Sequence, residues 1–181
     1  PECSDETPTD YVSRCAEWKA LPVSENHPDA LVIGADTSVV LDGQCLGKPT
    51  DSDQACCFLK RLSGKTHYVI TGISLRWGRG NNNKRWVTTT NVTFYELTPE
   101  TIRSYVEHVH TLDKAGGYAI QEHGELLIEN IHGSRSNVIG LPMEDLGNEL
   151  RKWGIQNLGL ELLQAPRPDN ISTISGNGLP K

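Results

Sequence analysis

Two β-rich runs separated by a polar segment constrain the fold of this chain more than any other feature. Residues 66–77 and 86–97 are rich in Val, Ile, Thr and aromatic residues, and they flank GRGNNNK, which is typical of a hairpin tip. Helix starts, in which a capping Thr precedes a Pro, stand on both sides at Thr7-Pro8 and Thr98-Pro99. Because hairpins and helices alternate along the chain, we expect an α/β fold with a mixed sheet flanked by helices.

Two shorter runs predict a strand that polar residues interrupt. Ala30–Ala35 is apolar, which favours a strand buried on both faces. Asp36 and Thr37 interrupt this run, and Ser38–Leu41 then resumes a β-rich pattern. Polar side chains at the end of a buried strand are a common feature of ligand sites in α/β proteins.

The remaining elements follow from caps and periodicity. Residues 52–63 predict a helix with Ser52 or Thr50 as its N-cap and a glycine just past its end. Residues 126–131 predict a short strand, and residues 141–154 predict a further helix that begins at a Leu-Pro pair.

Length and composition limit the class of protein. The 181 residues suit one compact domain, which we assign to residues 1–164, and residues 165–181 lack periodicity and are expected to be disordered. The net charge of −6 disfavours non-specific binding to a nucleic acid polymer or a membrane, and no apolar stretch has the length of a membrane-spanning helix. Five cysteines without a C-x-x-C pair are typical of reduced thiols in a cytoplasmic protein.

Four polar stretches at predicted element boundaries are candidates for chemistry: Gly34–Thr37, Gly47–Pro49, Asp113–Gln121 and Asn137–Pro142. Asp36 follows an apolar run, where an unpaired carboxylate is costly to bury. Lys48 stands between a Gly and a Pro, and Lys114 precedes two glycines that allow a close backbone approach. Taken singly, each stretch is an ordinary cap, turn or ion pair. Together, lysines that face one carboxylate suit a phosphate chain bound with a divalent cation.

The order of four motifs resembles the Maf family of nucleotide pyrophosphatases. These motifs are ADTSVVLDGQCLGKP, FLKRLSGKTHYVITGISL, DKAGGYAIQ and SNVIGLP, and the resemblance runs from about Tyr11 to Gly154. It implies a fold similar to that of the inosine-triphosphate pyrophosphatases, with an elongated mixed sheet, flanking helices and a central cleft. It also implies a homodimer that hydrolyses nucleoside triphosphates to the monophosphate and pyrophosphate with Mg²⁺ or Mn²⁺.

The resemblance assigns roles to individual residues. Asp36 matches the acidic residue that holds the metal or activates water, and Glu6 matches a second acidic position near the metal. Asp113 matches the acid of the DKAG motif. The lysines that face the phosphates are Lys19, Lys48 and Lys114, and the positions near the base are Thr37 and Gln121. The ADT and DKAG motifs resemble the branch that acts on dTTP, UTP and related or modified pyrimidine nucleotides.

One departure from the family affects the expected activity. The Ser-x-Ser-Pro-Arg-Arg loop and the strand before it, with which the family normally begins, do not occur in this sequence. We expect that the sequence is part of a longer protein, because losing a preorganised charge clamp costs about 10²–10³ in rate per donor. The alternative is a catalytically impaired, dimeric nucleotide-binding or regulatory module of the same fold. A second departure, His108-Val109-His110, is interpreted as a surface turn rather than a metal site.

Overall fold

The structure is a computed structural model that describes residues 6–77 and 82–155. Its helices are α1 (Pro8–Asn26), α2 (Ser52–Leu62), α3 (Pro99–His108), α4 (Arg135–Ile139) and α5 (Met143–Lys152). Its strands are β1 (Leu31–Leu41), β2 (Gln44–Leu46), β3 (Thr66–Trp77), β4 (Asn82–Phe94) and β5 (Ile128–His132). Two short 3-10 turns, Ala115–Gly117 and Gly124–Leu126, lie between α3 and β5. The predicted disordered tail, residues 165–181, lies outside the described residues.

The five strands form one sheet in the order β2-β1-β3-β4-β5. The predicted α/β class is confirmed, and the hairpin between β3 and β4 runs in register from Thr66 opposite Thr93 to Trp77 opposite Asn82. Every strand pairing in the described part of the chain is antiparallel, whereas the mixed sheet that we expected requires a parallel pair. The difference arises because β1–β2 and β3–β4 are hairpins, and the helical connections also return the chain in the antiparallel direction.

Two strands extend beyond their predicted limits. β1 runs through Asp36 and Thr37 without a break, so the polar pair lies within the strand rather than at its end. The prediction that the first half of β1 is buried on both faces is wrong, since Ile33 is 37% exposed. β4 begins at Asn82 instead of Trp86, because part of the polar segment pairs with the end of β3.

Capping residues fix the helix starts. Thr7 and Thr98 cap α1 and α3 as predicted, and each side-chain oxygen accepts a hydrogen bond from a backbone N–H three residues on. The predicted cap of α2 is wrong, because Asp51, not Ser52 or Thr50, accepts the equivalent bond. Asp51 has the extended backbone that an N-cap needs.

Helix α1 lies unusually close to the sheet. A Cβ atom on Gly72 of β3 would lie 2.7 Å from the backbone nitrogen of Ser13 and closer still to the carbonyl oxygen of Val12. A Cβ atom on Gly34 of β1 would lie 2.8 Å from the Cβ atom of Ala20. Only glycine allows backbones to approach to this extent. The close packing places the next turn of α1 beside Asp36.

A second core fills the opposite side of the sheet. It packs side chains of α2 and α3 against the strands, and the residues that are fully buried there include Leu59, Leu62, Val92, Phe94 and Ile102. The chain divides into two compact units, Pro1–Asp145 and Leu146–Lys181. The whole sheet and α1–α4 belong to the first unit, and the single domain over residues 1–164 stays a prediction. No helix within the described ranges has the length and apolar character needed to cross a membrane.

Candidate active site

A cavity of about 690 Å³ opens beside β1 in the first unit. Its lining comes from one face of α1, the middle of β1, Val69 of β3, the loop after β2, residues 113–115 and 118–122, and residues 138–140. The predicted site residues that line this cavity are Lys19, Asp36, Thr37, Lys48, Asp113, Lys114 and Gln121. The structure therefore brings together residues that are up to 102 positions apart in the sequence. Their individual roles stay predictions.

Lys19 and Asp36 form the first charged cluster in the cavity. The Lys19 Nζ atom donates to Asp36 Oδ1 at 2.7 Å and to the Ala35 carbonyl at 3.0 Å. The Asp36 side chain is 19% exposed, whereas Lys19 is 57% exposed. The pair resolves the cost of placing a carboxylate in the middle of a strand, and it leaves the lysine accessible from the cavity.

Lys114 forms the second charged cluster. Its Nζ atom donates to the His110 carbonyl at 2.9 Å and to Asp113 Oδ1 at 2.9 Å, and it lies 3.1 Å from Glu122 Oε1. Desolvation acts to lower the pKa of Lys114, but the hydrogen bonds to Asp113 and Glu122 outweigh it and raise that pKa. The hydrogen bond from Lys114 lowers the pKa of Asp113. Both groups are therefore fully charged at neutral pH.

Lys48 contrasts with the other two lysines. It lies exposed on the loop after β2 and forms no ion pair with any residue in the described ranges. The backbone N–H of Gly116 donates to the Gly47 carbonyl at 3.0 Å, so this loop is tied to the DKAGG segment. Gly116 and Gly117 both have φ above +70°, a conformation that favours glycine. A Cβ atom on Gly116 would lie 3.0 Å from the Val39 side chain, and one on Gly117 would contact Ala55 at 3.6 Å, so both glycines face protein atoms.

A buried network of hydrogen bonds lies behind Thr37, which lines the cavity. The Oγ1 atoms of Thr37 and Thr71 are 2.9 Å apart, and Thr71 also donates to the carbonyl of Asn137 at 3.4 Å. Asn137 is fully buried, and its Nδ2 donates to the Val69 carbonyl and to Thr90 Oγ1, both at 3.0 Å. The interpretation of Asn137 as a routine turn or cap residue is wrong, because it joins α4 to the sheet.

A buried aromatic cluster supports the segment after the glycines. Tyr118 lines the cavity, and its hydroxyl lies 2.7 Å from His67 Nε2 of β3. Phe94 packs edge-on against both rings, with centroids 4.9 Å away. Burial lowers the pKa of His67 from its ordinary 6.5 to about 4 and raises the pKa of Tyr118, so both rings are neutral at pH 7. Sequence analysis missed this pair, although a histidine inside an apolar strand signals a buried partner.

Two predicted candidates lie elsewhere. Glu6 does not line the cavity, and Arg14 donates to both of its carboxylate oxygens, which lowers the pKa of Glu6. Its position therefore gives no support to a metal role. His108 and His110 are exposed, as expected of surface residues, although His108 belongs to the last turn of α3. Among the residues that the structure describes, no group of three His, Cys, Asp or Glu side chains is placed to bind a metal ion by itself.

Fold and cavity together define an α/β protein with a lysine-rich, carboxylate-containing cleft beside its sheet. Comparison with known proteins places it more closely: the chain belongs to the Maf family, whose model, described as Maf-like protein, matches residues 1–153. The predicted resemblance is thereby confirmed.

Several curated relatives carry the same name. A dTTP/UTP pyrophosphatase of Akkermansia muciniphila is 50% identical over 131 residues, which are 72% of this chain and 68% of the relative. The dTTP/UTP pyrophosphatase of Clostridioides difficile is 44% identical over 153 residues, 84% of this chain and 79% of its own length. That of Bacillus velezensis is 42% identical over 150 residues, 83% of this chain and 78% of the relative.

Proposed function

We propose that this protein hydrolyses nucleoside triphosphates, dTTP and UTP first, to the nucleoside monophosphate and pyrophosphate. The names of its relatives support this activity and this choice of substrates. The observation that carries the proposal is the set of three lysines on one cavity, one of which, Lys48, has no acidic partner among the described residues. An unpaired cation in a cleft is suited to an anionic ligand such as a phosphate chain.

The charge balance of the cavity supports a divalent cation as cofactor. Three lysines and three carboxylates line it, so their charges cancel. A triphosphate brings about four negative charges and needs further positive charge in such a neutral site. Mg²⁺ is commonly held by one or two carboxylates together with substrate phosphates, and Mn²⁺ accepts the same oxygen ligands. Asp36 fits this mode, because it offers one partly exposed carboxylate and no three-ligand cage surrounds it among the described residues.

The proposed roles follow from the contacts. Asp36 holds the cation and accepts a proton from the attacking water, and Lys19 keeps its carboxylate oriented. Lys48 and Lys114 neutralise charge as it moves toward the pyrophosphate leaving group. Thr37 and Gln121 lie on the same cavity and contact the base. The cation, when bound, supplies Lewis-acid activation of the phosphoryl oxygens.

The decisive experiment substitutes Asp36→Asn. Since asparagine has nearly the same volume and still accepts a hydrogen bond from Lys19, the fold is expected to persist while kcat for dTTP falls by about 10²–10⁴-fold. Pyrophosphate release from dTTP, UTP, CTP, GTP and 7-methyl-GTP is measured with and without Mg²⁺ or Mn²⁺. The matched control is Asp42→Asn, which alters an exposed turn residue outside the cavity lining. An unchanged kcat in the Asp36 variant contradicts the assigned role, and nucleotide binding without turnover in the parent chain supports the impaired-module alternative.

We also propose that the protein is a cytoplasmic homodimer. The dimer rests on the family resemblance, and the cytoplasmic location rests on the cysteine pattern. Of the cysteines within the described residues, Cys15, Cys56 and Cys57 are free thiols. Sedimentation velocity of the purified chain measures the oligomeric state, and a monomer at micromolar concentration contradicts the dimer.

A further inference from the structure

The three lysines of the cavity differ in how many of their N–H donors the protein already occupies. An ammonium group has three donors. Lys48 makes no ion pair among the described residues, and Lys19 donates to two acceptors, Asp36 and the Ala35 carbonyl. Lys114 has three acceptors, and their distances all lie between 2.9 and 3.1 Å. Lys114 is therefore saturated, and it can contact a phosphate only after one acceptor leaves.

The three acceptors of Lys114 are not equally easy to displace. The His110 carbonyl belongs to the backbone just after α3, so its position is fixed by the chain. Asp113 is 57% exposed, but as the neighbouring residue in the sequence it is tethered beside Lys114. Glu122 lies eight positions further on, beyond the two glycines, and its side chain is 45% exposed. A flexible, half-exposed carboxylate loses little free energy when it exchanges a lysine for water.

Charge argues against the neutral His110 carbonyl as the acceptor that leaves and points to the two carboxylates, of which Glu122 is the one that does not neighbour Lys114 in the sequence. A phosphate oxygen that approaches Lys114 enters the position of a carboxylate oxygen and brings a second negative charge beside Glu122. Like charges at this distance repel, and a partly buried lysine with 20% exposure offers no room for both acceptors on one donor.

From these contacts we propose that Glu122 is a positioning residue that occupies the phosphate-binding donor of Lys114 in the free protein and leaves it when nucleotide binds. This inference rests on the proposed function, because it presumes that a nucleotide phosphate reaches Lys114. Glu122 thus competes with the substrate: it keeps Lys114 charged and oriented in the empty cavity, and it weakens nucleotide affinity by the free energy of its own ion pair.

The test compares Glu122→Gln with the parent chain by calorimetric titration with a dTTP analogue whose α,β-bridging oxygen is replaced by NH. Glutamine keeps the shape but removes the competing charge. The Kd is expected to fall about 2- to 5-fold, which corresponds to about 0.4–1 kcal/mol at 1.36 kcal/mol per decade. The matched control is Glu125→Gln, which removes the same charge from an exposed carboxylate that lies beside His123 and outside the cavity lining. Its Kd is expected to stay within about 1.5-fold of the parent value, below the smallest change of about 2-fold that is expected for Glu122→Gln.

The direction of the change separates competition from a structural role. If Glu122 only stabilised its loop, its removal would weaken binding and raise the Kd. A double-mutant cycle with Lys114→Met tests whether Glu122 acts through Lys114. The gain in affinity from Glu122→Gln must vanish when Lys114 is absent. A Kd that is unchanged or higher in the Glu122 variant, or a gain that persists without Lys114, overturns the inference. If the parent chain itself binds no nucleotide, the proposed function fails and this inference fails with it, an outcome distinct from the previous two.

Discussion

The close contact between α1 and the sheet predicts a loss of stability in Gly72→Ala, and its magnitude can be estimated from interatomic distances. In Gly72→Ala the new Cβ atom would lie 2.7 Å from the Ser13 nitrogen and closer to the Val12 carbonyl oxygen. Ordinary contacts of a Cβ atom begin at 3.4 Å, so helix and strand must separate by at least 0.7 Å, the difference between the two values. Both partners are backbone atoms, which cannot swing aside as a side chain does. The strain must therefore be taken up by moving α1.

The expected cost lies at the upper end of overpacking, about 3 kcal/mol. At about 2–4 °C per kcal/mol for a chain of this size, the melting temperature should fall by about 6–12 °C. Circular dichroism at 222 nm during heating measures it, and urea titration checks that the change is in free energy of unfolding. The same movement draws Lys19 away from Asp36, now 2.7 Å apart, so kcat for dTTP should fall as well.

The control is another glycine-to-alanine change. Gly147 lies inside α5, where an added Cβ atom meets only the tip of Arg151 at 3.5 Å. Alanine there should stabilise the protein by about 0.5–1 kcal/mol, because glycine is unfavourable in a helix interior. A melting temperature of Gly72→Ala within about 2 °C of the parent value would correspond to a change of about 1 kcal/mol or less in the free energy of unfolding. That result would refute the reasoning about α1.

Two further predictions concern buried polar groups. Because the folded-state pKa of His67 is depressed to about 4, stability should be complete above pH 6.5 and be lost as the pH falls toward 4, by an amount on the order of 3 kcal/mol. Urea midpoints at pH 7.5 and 5.0 measure the part of this loss that falls above pH 5.0, about 2 kcal/mol, and the same pH dependence of the midpoint in the parent protein and in His67→Gln would contradict it. Asn137→Ala removes two hydrogen bonds, one to the Val69 carbonyl and one to Thr90 Oγ1, which keeps its bonds with Ser134, so the free energy of unfolding should fall by about 1–3 kcal/mol. The urea midpoint again measures it, and a loss below about 1 kcal/mol would show that water replaces the amide.

Local chemistry accounts for the parts of the fold that could be predicted from sequence. Thr-Pro pairs start α1 and α3 because each residue has its own local preference. The Thr before a proline favours the extended backbone of an N-cap, and the Pro favours the first helical position. The cap of α2 could not be assigned, because Thr50, Asp51 and Ser52 all carry a suitable oxygen. Only the extended backbone at Asp51 decides among them, and it depends on how the preceding loop packs.

The candidate site could likewise be predicted only in part from the sequence. Composition and motif order indicate the lysines and Asp36, because charged residues among glycines and apolar strands are conspicuous. Asp36 interrupts the apolar pattern of the sequence and therefore predicts a strand end. In the structure the strand continues, because Lys19 forms an ion pair with Asp36, and Lys19 lies 17 positions earlier in the sequence. Glu122 and His67 escape notice in the sequence for a related reason. Their partners, Lys114 and Tyr118, are adjacent to them only in three dimensions.

The hydrogen bond from the Gly116 N–H to the Gly47 carbonyl has a consequence for how the site is mapped experimentally. It joins the loops of Lys48 and Lys114 through main-chain atoms alone. Alanine scanning changes side chains, so it leaves this link intact at every position where alanine is tolerated. A mutational map of the cavity would therefore portray the two lysines as independent, although one bond of 3.0 Å makes the placement of each depend on the other.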